Sequence, residues 1–432
     1  MTNVYYQPPT LKPEVSWLKK LDIPVWIFVI FCLMVFVKLN PEPASSIYAI
    51  NEAFVSRNEG DAVRQLVFIL LLGIAVFFHF SKNGLKVPHS LSALQLVALA
   101  YLLISFTWSS QPDVAFRRAV FMVMVAVSVA YQIDSLGVER TLKALYITFT
   151  VVLLLSLIAL PFPFGRHPAE EIDQELVGNW KGIFYHKNIA GAFMAAGVIF
   201  FFHYFLYNRK MTHLVLMGGC AVFLYGTQSV TPMLLITPSV VISLIFRTLS
   251  KSNGRKRLFA FLVVLGFLAL ASVVLVFFDK LEALWFNPES FSGRTAIWRT
   301  ALGYLANHWL LGAGFNSFWG VESNDYIISD FVALIGHSHS GYLEVFVTTG
   351  IFGLILTLLA SVILTFSQLL KIDSLNYQIA AVLFNLWFFF ILENFFESQF
   401  YNIDKEAWVI LMISVFLTQK LYVSTRPPQA FT

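Results

Sequence analysis

Apolar runs near the length of a bilayer crossing recur along this chain, and nothing constrains its fold more tightly. A hydrocarbon core about 30 Å thick takes roughly 20 apolar residues per helix. Runs of that order lie at about 24–37, 64–80, 90–108, 115–131, 141–160, 188–207, 212–225, 232–246, 259–278, 340–369, 377–395 and 407–422. They predict an all-α polytopic membrane protein with about 12 transmembrane helices. Membrane strands are excluded, because barrel strands alternate apolar and polar residues whereas these runs are apolar throughout. Composition agrees: charged residues are 12% of the chain, against roughly 25% in soluble proteins.

Charge placement orients the helices. With the N-terminus in the cytoplasm, most of the 29 Lys and Arg fall inside, including Lys19-Lys20, Arg209-Lys210 and the Lys251–Arg257 cluster. Most of the 25 Asp and Glu fall outside. This obeys the positive-inside rule and puts both termini in the cytoplasm. The net charge of +4 reflects topology anchors and does not argue for nucleic acid. Lys19 and Lys20 precede an apolar run with no small-residue cleavage pattern after it, which predicts an uncleaved first span. Both cysteines, Cys32 and Cys220, fall in predicted spans, against a disulfide framework or a thiolate metal site. The chain ends, Met1–Glu14 and Arg426–Thr432, read as loosely ordered.

Two outer loops break the pattern, at about 161–187 and 278–341. The organisation is thus 1–277 with nine helices, 278–341 as a large outer loop with amphipathic helices, and 342–432 with three more helices. A loop of this length in a compact protein is either functional or disordered. Trp285, Phe286, Trp298, Trp309, Phe315, Phe318 and Trp319 give it enough apolar mass to fold. Trp298, Leu302, Leu305 and Trp309 predict one stripe of an amphipathic helix, ended by the glycines of Leu311–Gly314. Arg294 falls at the amino end of that helix, where unpaired N–H groups and the helix dipole favour an anion and an Arg fork suits phosphate oxygens. A helix lying at the lipid interface is the compatible plainer reading.

His337 and His339 follow in Gly336-His337-Ser338-His339-Ser340-Gly341, just before a span. At i and i+2 on an extended loop they are expected to point to opposite sides, so that one faces a reactive centre. A zinc site needs three or four ligands; with no Cys at hand and no HExxH motif, no metal and no cofactor are assigned. In the shorter loop, Asn188 is expected to cap the following helix, leaving His186-Lys187 at its amino end. Arg117 and Arg118 lie on the outer side, where orientation statistics disfavour cations, so they call for a partner or a ligand. Glu393 and Glu397, at i and i+4, present carboxylates that can neutralise the arginines or position a hydroxyl. Arg117, Arg118, Lys187, Arg294 and His337 together suit a substrate with its lipid tail in the bilayer and a diphosphate at headgroup level. A neutral His would accept the proton of an attacking sugar hydroxyl. A transporter or lipid flippase is the competing class, but its ionisable residues belong near the midplane.

At these residues the sequence resembles the O-antigen ligase and polysaccharide polymerase superfamily of bacterial inner-membrane proteins. The resemblance is carried by Gly182–Asn188, Ser292–Trp298, the glycine turn Leu311–Phe315 and His337–Glu344, in the family's order, over roughly 108–397. It implies a GT-C-type fold and a metal-independent, inverting glycosyl transfer in the periplasm. The implied donor is a glycan on undecaprenyl diphosphate. The implied acceptor is lipid A-core oligosaccharide in a ligase, or another lipid-linked repeat in a polymerase. By motif, His337 becomes the candidate base or acceptor-orienting residue and Arg294 the diphosphate ligand. Lys187 stands where ligases often carry arginine, with His186, His339, Arg117, Arg118 and Glu393 as further substrate-binding candidates.

Overall fold

The computed structural model describes residues 22–36, 62–84, 86–168, 175–276, 294–319, 337–372, 374–402 and 406–425. The stretches 277–293 and 320–336 of the long loop, with Trp285 and Phe286, lie outside the described residues, as do both chain ends. Helices dominate: α1 (Ile23–Phe36), α2 (Ala62–Asn83), α3 (Ala93–Ile104), α4 (Pro112–Ala159), α5 (Lys187–Asn208), α6 (Met211–Thr227), α7 (Val230–Leu249) and α8 (Asn253–Val276) precede the long loop. α9 (Arg294–His308) lies in it, and α10 (Gly341–Lys371), α11 (Tyr377–Glu393) and α12 (Glu406–Ser424) follow. Among the described residues, seven helices are long and apolar enough to cross a membrane, with shorter apolar helices at Ile23–Val35, Ala93–Trp108 and Met211–Thr227. The protein is an all-helical, multi-pass membrane protein. Leu66, Ile69, Leu70 and Phe77 on α2, Val215 and Val222 on α6, and Leu234 and Val241 on α7 are exposed. Such large exposed apolar faces suit contact with lipid rather than water.

Two left-handed glycines shape the bundle. α4 is 48 residues long, about 72 Å at 1.5 Å per residue, and Gly137 (φ 74°, ψ 176°) breaks it. The break leaves carbonyls ahead of it open to side chains, and Lys82 Nζ donates to that of Ser135 at 2.6 Å. Buried Asp134 beside it pairs with Lys420 of α12 and accepts from the His89 N–H at 3.1 Å. Arg140, just past the break, pairs with Asp22 at the start of α1. The start of α1, the ends of α2 and α12 and the break in α4 are thereby tied together at one end of the bundle.

Gly350 (φ 67°, ψ −172°) breaks α10 in the same way. In an unbroken helix the Ile351 N–H would bond the Val347 carbonyl. Here Ile351 donates to Trp309 O at 2.8 Å, and Val347 O accepts from Ala313 at 3.0 Å. One helical bond is exchanged for two that dock the Trp309–Gly314 turn onto α10. Trp108 Nε1 donates to Leu311 O at 2.9 Å and the Tyr101 hydroxyl to Thr349 O at 2.9 Å, binding α3 and the short helical turn after it to the same junction.

α9 packs on protein through Ile297, Ala301 and Leu305, in a small core with Phe318, Trp319 and Val347, and Trp298 is buried as well. This corrects the predicted stripe. Leu302 and Trp309 are exposed, because the buried sector is rotated toward Ile297 and because α9 ends at His308.

Candidate active site

Glu397 is where the site converges. α11 ends at Glu393, and the Glu397 N–H still donates to the Glu393 carbonyl at 2.9 Å, so one further turn sets the Glu397 carboxylate. That carboxylate is 5% exposed and is shared between its two oxygens. Oε1 accepts from Arg294 Nη2 at 3.3 Å and from Asn188 Nδ2 at 3.2 Å. Oε2 faces His339 Nδ1 at 3.6 Å, an electrostatic contact rather than a hydrogen bond. Arg294 also donates through Nη1 to the Phe396 carbonyl. A buried carboxylate is costly unless paired and hydrogen-bonded, and here three elements remote in sequence supply the partners.

The histidine loop is held from several sides. Glu344 Oε2 accepts from the Ser338 N–H at 2.7 Å and from Trp319 Nε1 at 2.9 Å. Trp298 Nε1 donates to the Ser338 carbonyl at 2.9 Å, and the Ser340 N–H donates to Ser398 Oγ at 3.2 Å. His339 is left-handed (φ 53°). The structure overturns the expectation that the two imidazoles point to opposite sides: their ring centroids are 4.2 Å apart. Residues two apart on extended backbone share a face, so the spacing itself permits this approach. The His339 N–H donates to His337 Nδ1 at 3.3 Å, which favours the His337 tautomer with its proton on Nε2. Glu397 beside His339 Nδ1 favours the opposite tautomer there, with the lone pair on Nε2.

A pocket of about 350 Å³ of open space adjoins this loop, lined by His337, Asn316, Glu344, Thr348, Tyr401 and Asn402 among others. Arg118 donates to the Asn316 carbonyl and so stands at the edge of this pocket. Arg117 is half-buried one residue earlier on α4. At the start of α5 the cap is His186, not Asn188: His186 Nδ1 accepts from the Asn188 N–H at 3.1 Å. The Asn188 side chain is thereby released to reach Glu397, with its Oδ1 accepting from Ser229 at 3.1 Å. Lys187 is the first residue of α5, and its N–H donates to His167 Nε2 at 3.2 Å.

The predicted residues thus fall into one cluster and its margins. Arg294, His337 and His339 are brought together; Arg118 joins through Asn316, and His186-Lys187 through Asn188. Glu393 is buried behind the turn, and Glu397 is the carboxylate that meets the cations. Glu344 and Asn188 as site residues were missed. Each is the last residue of a motif stretch, Gly182–Asn188 or His337–Glu344, and that place was the sequence signal for it.

The family model described as O-antigen ligase matches residues 212–358, a span running from α6 through the long loop into α10. The exopolysaccharide production protein ExoQ of Rhizobium meliloti (strain 1021) is 23% identical over 286 residues, 63% of this chain and 64% of that relative. Both likenesses support the O-antigen ligase and polymerase superfamily that the sequence resembles, and the chain spans under two thirds of that relative's length. The glycine turn, the histidine loop and α9 all lie inside the segment that the O-antigen ligase model matches.

Proposed function

We propose that this protein is a glycosyltransferase that moves a glycan from undecaprenyl diphosphate to a sugar hydroxyl at the periplasmic face of the bacterial inner membrane. The observation that carries the reading is the convergence of Arg294, Asn188 and His339 on one buried carboxylate beside the His337 pocket. The acceptor oxygen attacks the anomeric carbon, the carbon–oxygen bond to phosphate breaks, and the diphosphate leaves with the electron pair. Arg294, with N–H donors beyond those bound to Glu397 and Phe396, stabilises the departing charge, helped by Arg118, Arg117 and Lys187. The hydrogen-bond pattern supports dividing the histidine roles. His339 receives the acceptor proton on Nε2, while His337 offers an N–H that orients acceptor or diphosphate. No metal or other cofactor has a part in this step.

The family model's description supports an O-antigen ligase with lipid A-core oligosaccharide as acceptor, in lipopolysaccharide biosynthesis. A second reading, a polymerase joining undecaprenyl-diphosphate-linked repeats, is supported by the likeness to an exopolysaccharide production protein. A GT-C-type arrangement of 12 crossings, with α4 crossing twice about Gly137, fits the tie between Asp22, Asp134, Arg140 and Lys420 at one end. That end is read as cytoplasmic, with both termini there. The division at 1–277, 278–341 and 342–432 is kept, the middle segment supplying Arg294 and the histidines.

Purified protein supplied with undecaprenyl-diphosphate glycan and core lipid tests the reading. Glycan on the core lipid means ligase; extension on the donor itself means polymerase; no covalent product refutes both. Arg294→Ala and His339→Ala are expected to abolish transfer in folded protein, and full activity in either removes that residue from the mechanism.

A further inference from the structure

We propose that His337, His339 and Glu397 form a three-ligand site for a divalent transition metal of the zinc class, whose occupancy blocks glycan transfer. Each residue offers one ligand atom, and these atoms lie within 4.8 Å of one another. The His339 Nδ1 to Glu397 Oε2 separation of 3.6 Å is close to the edge of a tetrahedron with bonds of about 2.0–2.1 Å. The two rings already lie together, with centroids 4.2 Å apart.

Support around these ligands is of the kind metal sites need. A ligating carboxylate is oriented by hydrogen bonds from outside the coordination sphere. Here Asn188 and Arg294 both occupy Oε1, which directs Oε2 toward the histidines. Glu344, Trp298 and Ser398 fix the backbone between the two imidazoles. Two imidazoles and one carboxylate match zinc, whereas magnesium and calcium prefer all-oxygen shells. The fourth position is left for water or an anion. The Arg294 charge opposes a dication at Glu397, so binding is expected to be reversible rather than structural.

Metal on His339 Nδ1 leaves the neutral ring's proton on Nε2, the nitrogen to which the transfer reading sends the acceptor proton. A metal-loaded histidine cannot accept that proton, so occupancy and transfer exclude each other. The binding claim stands on ligand geometry alone; the blocking clause rests on the proposed transfer activity.

The test uses the full chain in detergent, first stripped with chelator. Titration with Co²⁺ is expected to give a visible band of tetrahedral intensity, displaced by Zn²⁺ at one equivalent per chain. His337→Ala, His339→Ala and Glu397→Gln should each weaken Zn²⁺ binding at least tenfold. Asn188→Ala should weaken it about 10–100-fold, as changes behind metal ligands do. His89→Ala, an exposed histidine at the opposite end, should bind as the parent does. No saturable uptake, or uptake unchanged in the His337/His339 double variant, overturns the site. In the transfer assay, Zn²⁺ should inhibit with a midpoint at its dissociation constant, and chelator should restore activity. Activation by Zn²⁺, or loss with chelator, overturns the blocking clause. Absence of transfer from metal-free protein refutes the transferase reading, while the Co²⁺ spectrum still decides the site.

Discussion

Replacing Gly350 by alanine, measured against the same change at Gly137, separates backbone conformation from docking of the Trp309–Gly314 turn. The two glycines have nearly the same geometry, φ 67° and ψ −172° against φ 74° and ψ 176°. A side chain in that region costs about 1–3 kcal/mol. Alanine's smaller unfolded-state entropy returns about 0.4–1 kcal/mol at both. The surroundings differ. A Cβ at 137 meets nothing within 4 Å, whereas at 350 it would lie 2.1 Å from the Leu310 carbonyl oxygen. That atom is backbone, so relief requires the Trp309–Gly314 turn to move. The move loses the Ala313–Val347 and Ile351–Trp309 bonds, about 0.5–1.5 kcal/mol each. Gly137→Ala should therefore cost about 1–2 kcal/mol and Gly350→Ala about 2–5 kcal/mol, on these strain and hydrogen-bond terms. Cys32 and Cys220 are buried on α1 and α6, away from the turn. A thiol-reactive fluorophore followed on heating thus reports unfolding of the bundle. Transfer should also fall further in Gly350→Ala, because the displaced turn leads into Asn316 at the His337 pocket. Equal melting shifts for the two variants would refute the docking argument.

Glu344→Ala should destabilise by about 2–4 kcal/mol, since it strands two buried donors; Glu344→Gln keeps an acceptor and should cost far less, in the same melting assay. Glu397→Gln should lower transfer at least as much as Arg294→Lys, because both break the pairing that aims the guanidinium; wild-type kcat/KM in either contradicts this. At Asp22 burial pushes the carboxyl up, but the Arg140 hydrogen bond and charge outweigh it and hold it below its ordinary value. A depressed carboxylate contributes stability above its unfolded pKa and loses it as pH falls through the folded one. The stability gap between parent and Asp22→Asn should be widest near neutrality and close below about pH 4; a gap that widens in acid would reverse the assignment. Both partners are partly exposed, so the gap is small and salt-sensitive.

Much of this protein was readable from one dimension. Apolar run length set the helices, because a backbone in lipid must satisfy its own hydrogen bonds. The charge count gave an expected orientation, and the order of short motifs pointed to Arg294 and the histidine loop. Local pattern misled where its period was misapplied or an end position mattered. His337 and His339 were expected to diverge, yet residues two apart on extended backbone share a face, and the two rings meet. Asn188 gave up its capping role to His186 and reached across to another helix. The choice between Glu393 and Glu397 turned on where α11 ends, and hence on which carboxylate the turn swings toward Arg294. Sequence reports which groups exist and how often they recur; partners 103 and 209 residues away, as Arg294 and Asn188 are from Glu397, are selected only when the helices pack.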